Sequence, residues 1–345
     1  MSKVDVSIVI PTWNGLDLLK RFLPSVIAAA NHTIEQAGNR VEIVVVDDGG
    51  TDATIDWLTE HGFAPATSPT SDTQTPRNVE LRMLRNAKNV GFGETCNNGV
   101  KAAQHPLIYL LNNDAEVNAD VLLPLIGHFA DAEVFAVHSR VYQLETGEDC
   151  GNGQLGYFSR GLIRVHLGYR AEKDEGQEPF YSIYATGGSA LFDREKFLEL
   201  GGFDALFSPF YWEDVELGYK AWKRGYTIHF EPRSIVRHRI SATTKKLSQR
   251  RVKLVQQRNR LIYHWIHLHD RWLLLSHLLW VIPLALLSPL LFKPVQTVAF
   301  IEAVKRLPEI RRLRLQEKAK AKRSDRDIFA FFKKMKQRSD ISISR

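Results

Sequence analysis

The chain has 345 residues, of which 44% are hydrophobic and 25% are charged, as is ordinary for a globular protein. This length accommodates one large α/β domain with an accessory region, or two domains. The two cysteines, Cys96 and Cys150, exclude a disulfide framework and a zinc cluster, and we expect a reducing, cytosolic environment.

The net charge of +7 is distributed unevenly along the chain. Residues 239–345 contain 25 Lys and Arg but only 7 Asp and Glu, a net charge of +18, whereas residues 1–238 have a net charge of −11. This pattern indicates an acidic catalytic body and a basic tail that faces an anionic surface.

The first third of the chain alternates strand and helix patterns. The predicted elements are, in order, a strand at 6–14, a helix at 16–30, a strand at 41–50, a helix at 51–62, a strand at 79–86, a helix at 91–104 and a strand at 107–117. The strands are continuous apolar runs, which are typical of a mostly parallel sheet covered by helices on both faces. The N-terminal residues run directly into the first strand pattern, so we expect no signal peptide.

The rest of the chain is less regular. Residues 135–170 predict further strands and loops, residues 181–207 contain two Gly-Gly turns that flank a helix, and residues 210–232 predict an aromatic and acidic loop, an amphipathic helix and a short strand. After His238 the sequence becomes basic and helical in pattern. We therefore predict two regions, residues 1–244 and residues 245–345.

Polar residues follow three of the predicted strands where each strand ends. These are Thr12 to Asn14, the pair Asp47 and Asp48, and Asn112 to Glu116. Because ligands bind beyond the carboxyl ends of the strands in such sheets, this convergence indicates a binding site. The alternative is that each group only caps a helix or starts a turn.

Two acidic motifs suit a nucleotide and a metal. The oxygens of Asp114 and Glu116 suit Mg²⁺ or Mn²⁺, which proteins hold with one or two carboxylates and the phosphates of the substrate. A carboxylate of the pair Asp47 and Asp48 suits a nucleobase N–H or a ribose hydroxyl, with Gly49 next to it for close backbone approach. The alternatives are a polar strand end and a helix cap.

Two further motifs suit catalysis. Trp212 precedes Glu213 and Asp214, and an aromatic surface stacks a sugar ring and raises the pKa of a carboxylate towards that of a general base. The alternative makes both acids first-turn residues that the helix dipole favours. His238 ends a strand between two arginines, where it suits a metal beside the carboxylates.

Two other nucleotide-binding motifs are not supported. Gly91 and Gly93 begin a helix, but Cys96 stands where the third glycine of a dinucleotide-binding fingerprint belongs, and the motif follows the third strand instead of the first. A phosphate-binding loop with Lys followed by Ser or Thr is also absent from the sequence.

The motifs together resemble family 2 glycosyltransferases with the GT-A fold, most closely bacterial rhamnosyltransferase-like enzymes of surface polysaccharide synthesis. The resemblance covers about residues 4–244. The segments that carry it are VSIVIPTWNG, VVVDDGGTDAT, NVGFGETCNNGV, LLNNDAEV, GGSALFDREKFLELGGFD, WEDVELGYKAWKRGY and VRHRIS.

The resemblance implies inverting transfer of a sugar from a nucleoside-diphosphate sugar. The residues that it places along the donor are Pro11, Thr12, Asn14, Asp47, Asp48, Asn89, Gly91, Gly93, Asn97 and Asn113. It makes Asp114, Glu116 and His238 ligands of Mg²⁺ or Mn²⁺, although Asn113 stands where many members carry Asp. It places Gly187, Gly188 and Trp212 near the sugar and the acceptor, and makes Asp214 the catalytic base with Glu213 beside it.

Residues 272–292 form an apolar stretch of about the 20 residues that span a bilayer. The stretch contains Pro283 and Pro289 and has basic sequence on both sides, which a single span would separate. We therefore expect a re-entrant hairpin or an interfacial helix on anionic lipid at the cytoplasmic face of the plasma membrane, so that the protein is monotopic or peripheral. A buried helical hairpin is the alternative.

The expected function is therefore sugar transfer to a hydroxyl of a glycan or of a lipid-linked glycan. A sugar nucleotidyltransferase and a catalytically silent membrane scaffold are the alternatives. We expect no nucleic-acid partner, because the basic residues bracket an apolar stretch and so favour lipid headgroups. The sequence leaves the oligomeric state open.

Overall fold

The structure is a computed structural model that describes residues 4–66, 79–150, 153–171, 179–239, 248–290 and 294–343. The chain divides into two compact units. The first unit comprises Met1–Asn152, Ala185–Phe203 and His229–Ile240. The second unit comprises Gly153–Tyr184, Asp204–Ile228 and Ser241–Arg345. The predicted domain boundary at residues 244 and 245 lies outside the described residues.

The strands and helices of the described residues follow in chain order. The strands are β1 (Val6–Thr12), β2 (Val41–Asp47), β3 (Ala64–Pro65), β4 (Glu80–Arg85), β5 (Leu107–Leu111), β6 (Ala115–Val117), β7 (Val134–Gln143), β8 (Gly153–Ser159), β9 (Leu162–Ala171), β10 (Phe180–Tyr181), β11 (Ser189–Asp193), β12 (Thr227–His238) and β13 (Ile341–Ile343). The α-helices are α1 (Leu16–Ala37), α2 (Thr54–Glu60), α3 (Phe92–Ala102), α4 (Leu123–Ile126), α5 (Arg194–Glu199), α6 (Glu213–Lys223), α7 (Gln249–His267), α8 (Arg271–Leu287), α9 (Val295–Val304), α10 (Leu307–Lys320) and α11 (Asp325–Met335).

The first unit is built on a mixed sheet with the strand order β12-β7-β11-β5-β1-β2-β4-β3. The pairs formed by β1 with β2 and β5, and by β4 with β2 and β3, are parallel. Strand β11 is antiparallel to both β5 and β7. The predicted parallel sheet is therefore confirmed for the strands of the first third of the chain, while the strands that follow add an antiparallel part.

The register of β1 and β2 carries polar residues to the same edge of the sheet. All seven residues of each strand are buried, and the pairing runs from Val6 opposite Val41 to Thr12 opposite Asp47. Because parallel strands end at the same edge, the side chains that follow β1 and β2 lie next to each other.

Helix α1 packs on this sheet through one face. The buried residues recur at helical spacing, which directs them to the sheet. They are Leu19, Phe22, Leu23, Val26, Ala29, Ala30 and Thr33. Gly38 ends the helix in the left-handed region, with φ of +66°, where its backbone N–H donates to the carbonyl oxygen of Ile34.

The predicted strand at 107–117 is two strands. Strand β5 ends at Leu111, and β6 pairs antiparallel with β12 instead of continuing alongside β1. Ala115 and Val117 are buried in the core of the first unit, so the chain re-enters the core after three polar residues. As a result, the polar segment between β5 and β6 lies at the end of β12, where His238 is paired with Ala115.

The second unit combines a small sheet with the C-terminal helices. Strand β9 pairs antiparallel with β8 and β13, and α7 packs against α9 and α10. Helix α8 covers most of the predicted apolar stretch, whose residues 291 and 292 lie outside the described part of the chain. Within the described residues, no helix combines the length and the apolar character needed to cross a bilayer.

Candidate functional site

Asp114 and His238 form a carboxylate–imidazole pair in the first unit. Asp114 precedes β6 and is buried, and His238 ends β12 beside it, with its Nε2 atom 2.7 Å from Asp114 Oδ1. Nε2 also lies 3.2 Å from Asn112 Nδ2. The backbone N–H of Arg239 donates to the carbonyl oxygen of Asp114 at 3.1 Å, which fixes the two chain segments against each other.

The chemistry of this pair fits a divalent cation. A carboxylate oxygen and an imidazole nitrogen are both ligands of Mn²⁺, and Mg²⁺ is usually held by one or two protein ligands and completed by water and substrate phosphates. Glu116 lies opposite Arg237 in the β6–β12 pair. No three His, Cys, Asp or Glu side chains of the described residues are grouped so that they could hold a metal ion, so the role of Glu116 stays a prediction.

The end of β1 is connected to its neighbours by side-chain amides. Asn113 Nδ2 donates to Thr12 Oγ1 at 2.8 Å, which ties the segment after β5 to β1. Asn14, in the left-handed region with φ of +48°, accepts at Oδ1 from the backbone N–H of Thr51 at 2.7 Å. Pro11 is buried within β1, so only its backbone carbonyl group is left for the predicted contact with the donor.

Asp47 is buried at the end of β2 and serves the turn that follows. Its Oδ1 atom accepts from the backbone N–H of Gly50 at 3.1 Å, and Oδ2 lies 3.4 Å from Arg85 Nε. Burial raises the pKa of Asp47, although the Gly50 N–H and the Arg85 cation oppose that shift. Asp47 thus stabilises the turn after β2, a local structural role like the helix cap that was the alternative in the sequence analysis.

Asp48 organises the segment that leads into α3. Its Oδ1 accepts from the backbone N–H of Val90 at 2.8 Å and from Asn86 Nδ2 at 2.9 Å, and its Oδ2 accepts from the backbone N–H of Gly91 at 2.9 Å. Asn89 is exposed within this segment. The buried carboxylate therefore fixes the backbone of the predicted nucleotide-contacting residues, a role that the motif alone did not predict.

Asn97 and Gly93 both face Phe203. Asn97 is buried; its Nδ2 donates to the carbonyl oxygen of Phe203 at 2.8 Å, and its Oδ1 accepts from the Phe203 N–H at 2.9 Å. A Cβ atom on Gly93 would lie 3.1 Å from the Phe203 side chain. These residues join α3 to the turn after α5, and the amide of Asn97 is used inside the protein.

The turn at Gly187 and Gly188 approaches the segment after β5. The backbone N–H of Asn112 donates to the carbonyl oxygen of Gly188 at 3.0 Å, and a Cβ atom on Gly188 would overlap the Asn112 side chain. A Cβ atom on Gly187 would lie 3.2 Å from Phe203. Gly188 therefore requires a residue without a side chain so that the turn reaches Asn112, whereas a side chain at Gly187 would press on Phe203.

Trp13 is a candidate that sequence reasoning missed. It lies between Thr12 and Asn14, and its side chain is 52% exposed although it is large and aromatic. An aromatic residue in a polar turn directly after a buried strand was the available signal. Its exposed ring offers a surface on which a base can stack.

In the second unit, the predicted catalytic acids begin α6. Tyr211 and Trp212 precede them in the left-handed region, with φ of +69° and +79°, which is unusual for aromatic residues. The ring centroid of Trp212 lies 5.3 Å from that of Tyr263, so the predicted acceptor contact is half-buried in an aromatic cluster. Asp214 Oδ1 accepts from the backbone N–H of Val215 at 2.8 Å.

Glu213 and Asp214 are electrostatically unequal. Oε2 of Glu213 is buried and has no hydrogen-bond partner among the described residues. Burial, followed by the neighbouring Asp214 carboxylate, raises the pKa of Glu213 to about 8. At that pKa the protonated form of Glu213 predominates at neutral pH.

Asn259 holds the loop that carries these acids and was not predicted from sequence. It is fully buried on α7, and its Nδ2 donates to the carbonyl oxygens of Phe207 at 2.5 Å, Phe210 at 3.1 Å and Tyr211 at 2.8 Å. Its Oδ1 accepts from Arg258 Nε at 2.9 Å. A single asparagine 45 residues beyond Asp214 on a basic helix gives no sequence signal for this role.

Comparisons with known proteins identify the family of the chain. A family model described as Glycosyl transferase family 2 matches residues 7–201, which is more than half of the chain. A second model, described as Glycosyl transferase family group 2, matches residues 107–304.

Individual relatives are distant. Polypeptide N-acetylgalactosaminyltransferase 10 of Rattus norvegicus is 28% identical over 165 residues, which are 46% of this chain and 27% of that protein. The chain thus spans about a quarter of the length of such relatives.

Solved structures share the fold. GalNAc-T7 with UDP, GalNAc and Mn²⁺ has a TM-score of 0.58 at 21% identity, over 78% of this chain and 49% of that one. Staphylococcus aureus TarS 1–349 in complex with UDP-GlcNAc has a TM-score of 0.54 at 16% identity, over 96% of this chain and 90% of that one. The chain has the GT-A fold and belongs to glycosyltransferase family 2.

Proposed function

We propose that the protein is an inverting, metal-dependent glycosyltransferase. It transfers a sugar from a UDP- or dTDP-linked donor, with rhamnose as one candidate, to a hydroxyl of a glycan or lipid-linked glycan in cell-surface polysaccharide synthesis. The observation that carries the proposal is the contact between Asp114 and His238 at the end of the sheet in a chain of family 2. Relatives crystallised with UDP and Mn²⁺ support a nucleotide donor and a divalent cation.

The first unit holds the donor in this proposal. Asp114 and His238 would bind Mg²⁺ or Mn²⁺, and the cation when bound neutralises the diphosphate leaving group as charge develops on it. Asp48 fixes the backbone of the segment from Val90 to Gly91, which keeps that edge of the site in place before the donor arrives. Trp13 gives the nucleobase an exposed surface on which to stack.

Asp214 is the base in this proposal. Asp214 accepts the proton of the acceptor hydroxyl, whose oxygen then attacks the anomeric carbon from the face opposite the leaving group. Glu213 is protonated and therefore neutral in this proposal, so no second negative charge lies next to the carboxylate of Asp214. The helix dipole of α6 favours the negative charge of Asp214 in the first turn.

A donor panel tests the proposal. Purified protein is incubated with UDP-, dTDP- and GDP-linked sugars, with Mg²⁺, Mn²⁺ or EDTA, and release of the nucleoside diphosphate is measured with and without a glycan acceptor. We expect turnover of one donor class that EDTA abolishes. Release of pyrophosphate from a sugar phosphate and a nucleoside triphosphate would indicate a nucleotidyltransferase instead, and inertness towards every donor with acceptor supplied would favour the scaffold.

A further inference from the structure

Helix α8 presents its apolar side chains outward. Its buried residues are His277, Val281 and Ala285, which recur every four residues and form one narrow stripe. The opposite side carries Leu279 and Leu286, which are 68% and 72% exposed. A helix at a water-facing surface normally buries its apolar stripe and exposes polar residues, so α8 has the reverse arrangement.

The polar residue of the stripe is satisfied inside the second unit. Trp265 Nε1 donates to His277 Nε2 at 3.1 Å, which places the proton of the ring on Nδ1. Nδ1 in turn donates to the carbonyl oxygen of Gly161 at 2.7 Å. These bonds fix the rotation of α8, and its leucines consequently point away from the unit.

Helix α9 extends this surface. Ala299 and Ala303 are its buried residues, whereas Val298, Ile301 and Val304 are exposed. We define the α8–α9 face as the exposed apolar residues of these helices and of the residues that follow α8. They are Trp272, Leu275, Leu279, Trp280, Ile282, Leu284, Leu286, Leu287, Leu290, Val298, Ile301 and Val304. Exposed apolar residues in this number on two helices that contact each other mark an interaction surface.

Cations border the α8–α9 face. The exposed Arg160 lines an open groove together with Trp272, Leu275 and Leu279, and the guanidinium carbon of Arg271 lies 5.6 Å from the centroid of the Trp272 ring. Tryptophan and arginine at the rim of an apolar surface are typical of the interface between membrane and water.

Arg164 and Arg260 form a second cationic group. Arg260 lines a cavity with Trp280 and Leu284, and it is close enough to Arg164 for the two charges to interact. Within the described ranges, neither guanidinium has a carboxylate partner. Both arginines are half-buried, and two neighbouring guanidinium groups suit the oxygens of a phosphate group.

These charges decide between two occupants of the face. In a two-fold dimer a second copy of the chain would meet this surface with the same surface, so the four arginines of each copy would face a surface that carries the same four cations. A bilayer with anionic headgroups instead accepts the leucines and balances the arginines.

We propose that the α8–α9 face docks on an anionic phospholipid bilayer, with its leucines at the boundary between headgroups and acyl chains and with Arg160, Arg164, Arg260 and Arg271 against lipid phosphates. The protein then lies on the membrane surface with the α8–α9 face towards the lipid. This inference goes beyond sugar transfer and does not require it.

Vesicle flotation tests the proposal without any enzyme assay. The full chain is mixed with vesicles of phosphatidylcholine alone, or with vesicles that also contain phosphatidylglycerol. The variants are Leu279→Glu with Leu286→Glu for the apolar face, and Arg164→Gln with Arg260→Gln for the cations. The control is Leu315→Glu, because Leu315 on α10 is equally exposed, at 70%, but lies outside the α8–α9 face.

We expect binding to the anionic vesicles that the double Leu→Glu variant weakens about 100-fold, since insertion of each leucine is worth about a factor of 10. The double Arg→Gln variant should lose most of its preference for anionic vesicles, about 5-fold for each arginine. The Leu315→Glu variant should bind like the wild type, and all variants should retain the wild-type circular dichroism spectrum.

Two results would overturn the proposal. One is a wild-type chain that does not float with anionic vesicles. The other is equal binding by the wild type and the double Leu→Glu variant. If sedimentation in addition shows a dimer that the double Leu→Glu substitution converts to a monomer, the face is an interface between copies of the chain.

Discussion

Replacement of Asn259 by alanine should impair transfer without impairing nucleotide binding. The side chain donates to the carbonyl oxygens of Phe207, Phe210 and Tyr211. This loop leads through Trp212 into the first turn of α6, which contains Glu213 and Asp214. The methyl group of alanine makes none of these bonds. The loop would then lose its attachment to α7.

The magnitude follows from the bonds and the backbone. An amide has two hydrogens, so the three contacts are counted as two full hydrogen bonds, each worth about 1 kcal/mol net. The left-handed conformations of Tyr211 and Trp212 cost about 1 to 2 kcal/mol each, and relaxation of this strain favours release of the loop once the bonds are lost. A loss of about 2 kcal/mol lowers the ratio of attached to released loop by roughly 30-fold, which sets the upper limit of the fall in the competent loop population.

The assay measures kcat, KM for the donor and the Kd of the nucleoside diphosphate for the wild type and for Asn259→Ala. We expect kcat to fall about 10- to 30-fold while the Kd changes less than about 2-fold. Tyr219→Phe is the matched control, because it removes the hydrogen bond from the Tyr219 hydroxyl to Asp325 and destabilises the same unit without touching the loop. An equal loss of kcat in both variants, or an unchanged kcat in Asn259→Ala, would refute the reasoning.

Three further substitutions have defined outcomes. Arg82→Met leaves the buried carboxylate of Glu42 without its cationic partner at 2.6 Å and should lower the free energy of unfolding by about 3 kcal/mol in urea titrations. Adding Glu42→Gln should restore most of this loss, because it removes the buried charge and keeps an oxygen that accepts from Ser7 Oγ and the Gln104 N–H. Burial lowers the pKa of His138 to about 4, so this residue should lower the free energy of unfolding of the wild type by about 1.4 kcal/mol per pH unit as the pH drops from about 6.5 to about 4. The free energy of unfolding of His138→Leu should lack this contribution. Identical pH profiles of the two proteins would contradict the prediction. Trp13→Ala should raise the Kd of the nucleotide about 10-fold with unchanged thermal stability, and an unchanged Kd would remove Trp13 from the site.

The strands of the first third of the chain are predictable because they are buried on both faces. Val41 to Val46 is an uninterrupted run of mostly β-branched residues, and no helix pattern competes with it. The ends of these strands then fix the position of Thr12 and Asp47 without further information, since parallel strands end at one edge. The family and the GT-A fold were predictable from the sequence because several of the motifs lie at these strand ends. The family model and the solved structures confirm both predictions.

The remainder depends on contacts between residues far apart in the sequence. The turn of the chain between β5 and β6 is set by the pairing of Val117 with Val236, 119 positions later, which no local pattern encodes. The partners of Asp48 and the bonds of Asn259 are likewise tertiary. The α8 stretch is apolar in sequence, but its outward direction is decided by the hydrogen bonds of His277.

The most direct measurement compares transfer and nucleotide binding for Asp214→Asn and the wild type with the donor selected from the panel. The amide keeps the shape of the side chain but accepts no proton from the acceptor hydroxyl. We predict that transfer falls by at least about 1,000-fold while the Kd of the nucleoside diphosphate stays within about 2-fold, since the base is absent and the donor residues are intact. Transfer at the wild-type rate by Asp214→Asn would contradict the assignment of Asp214 as the base.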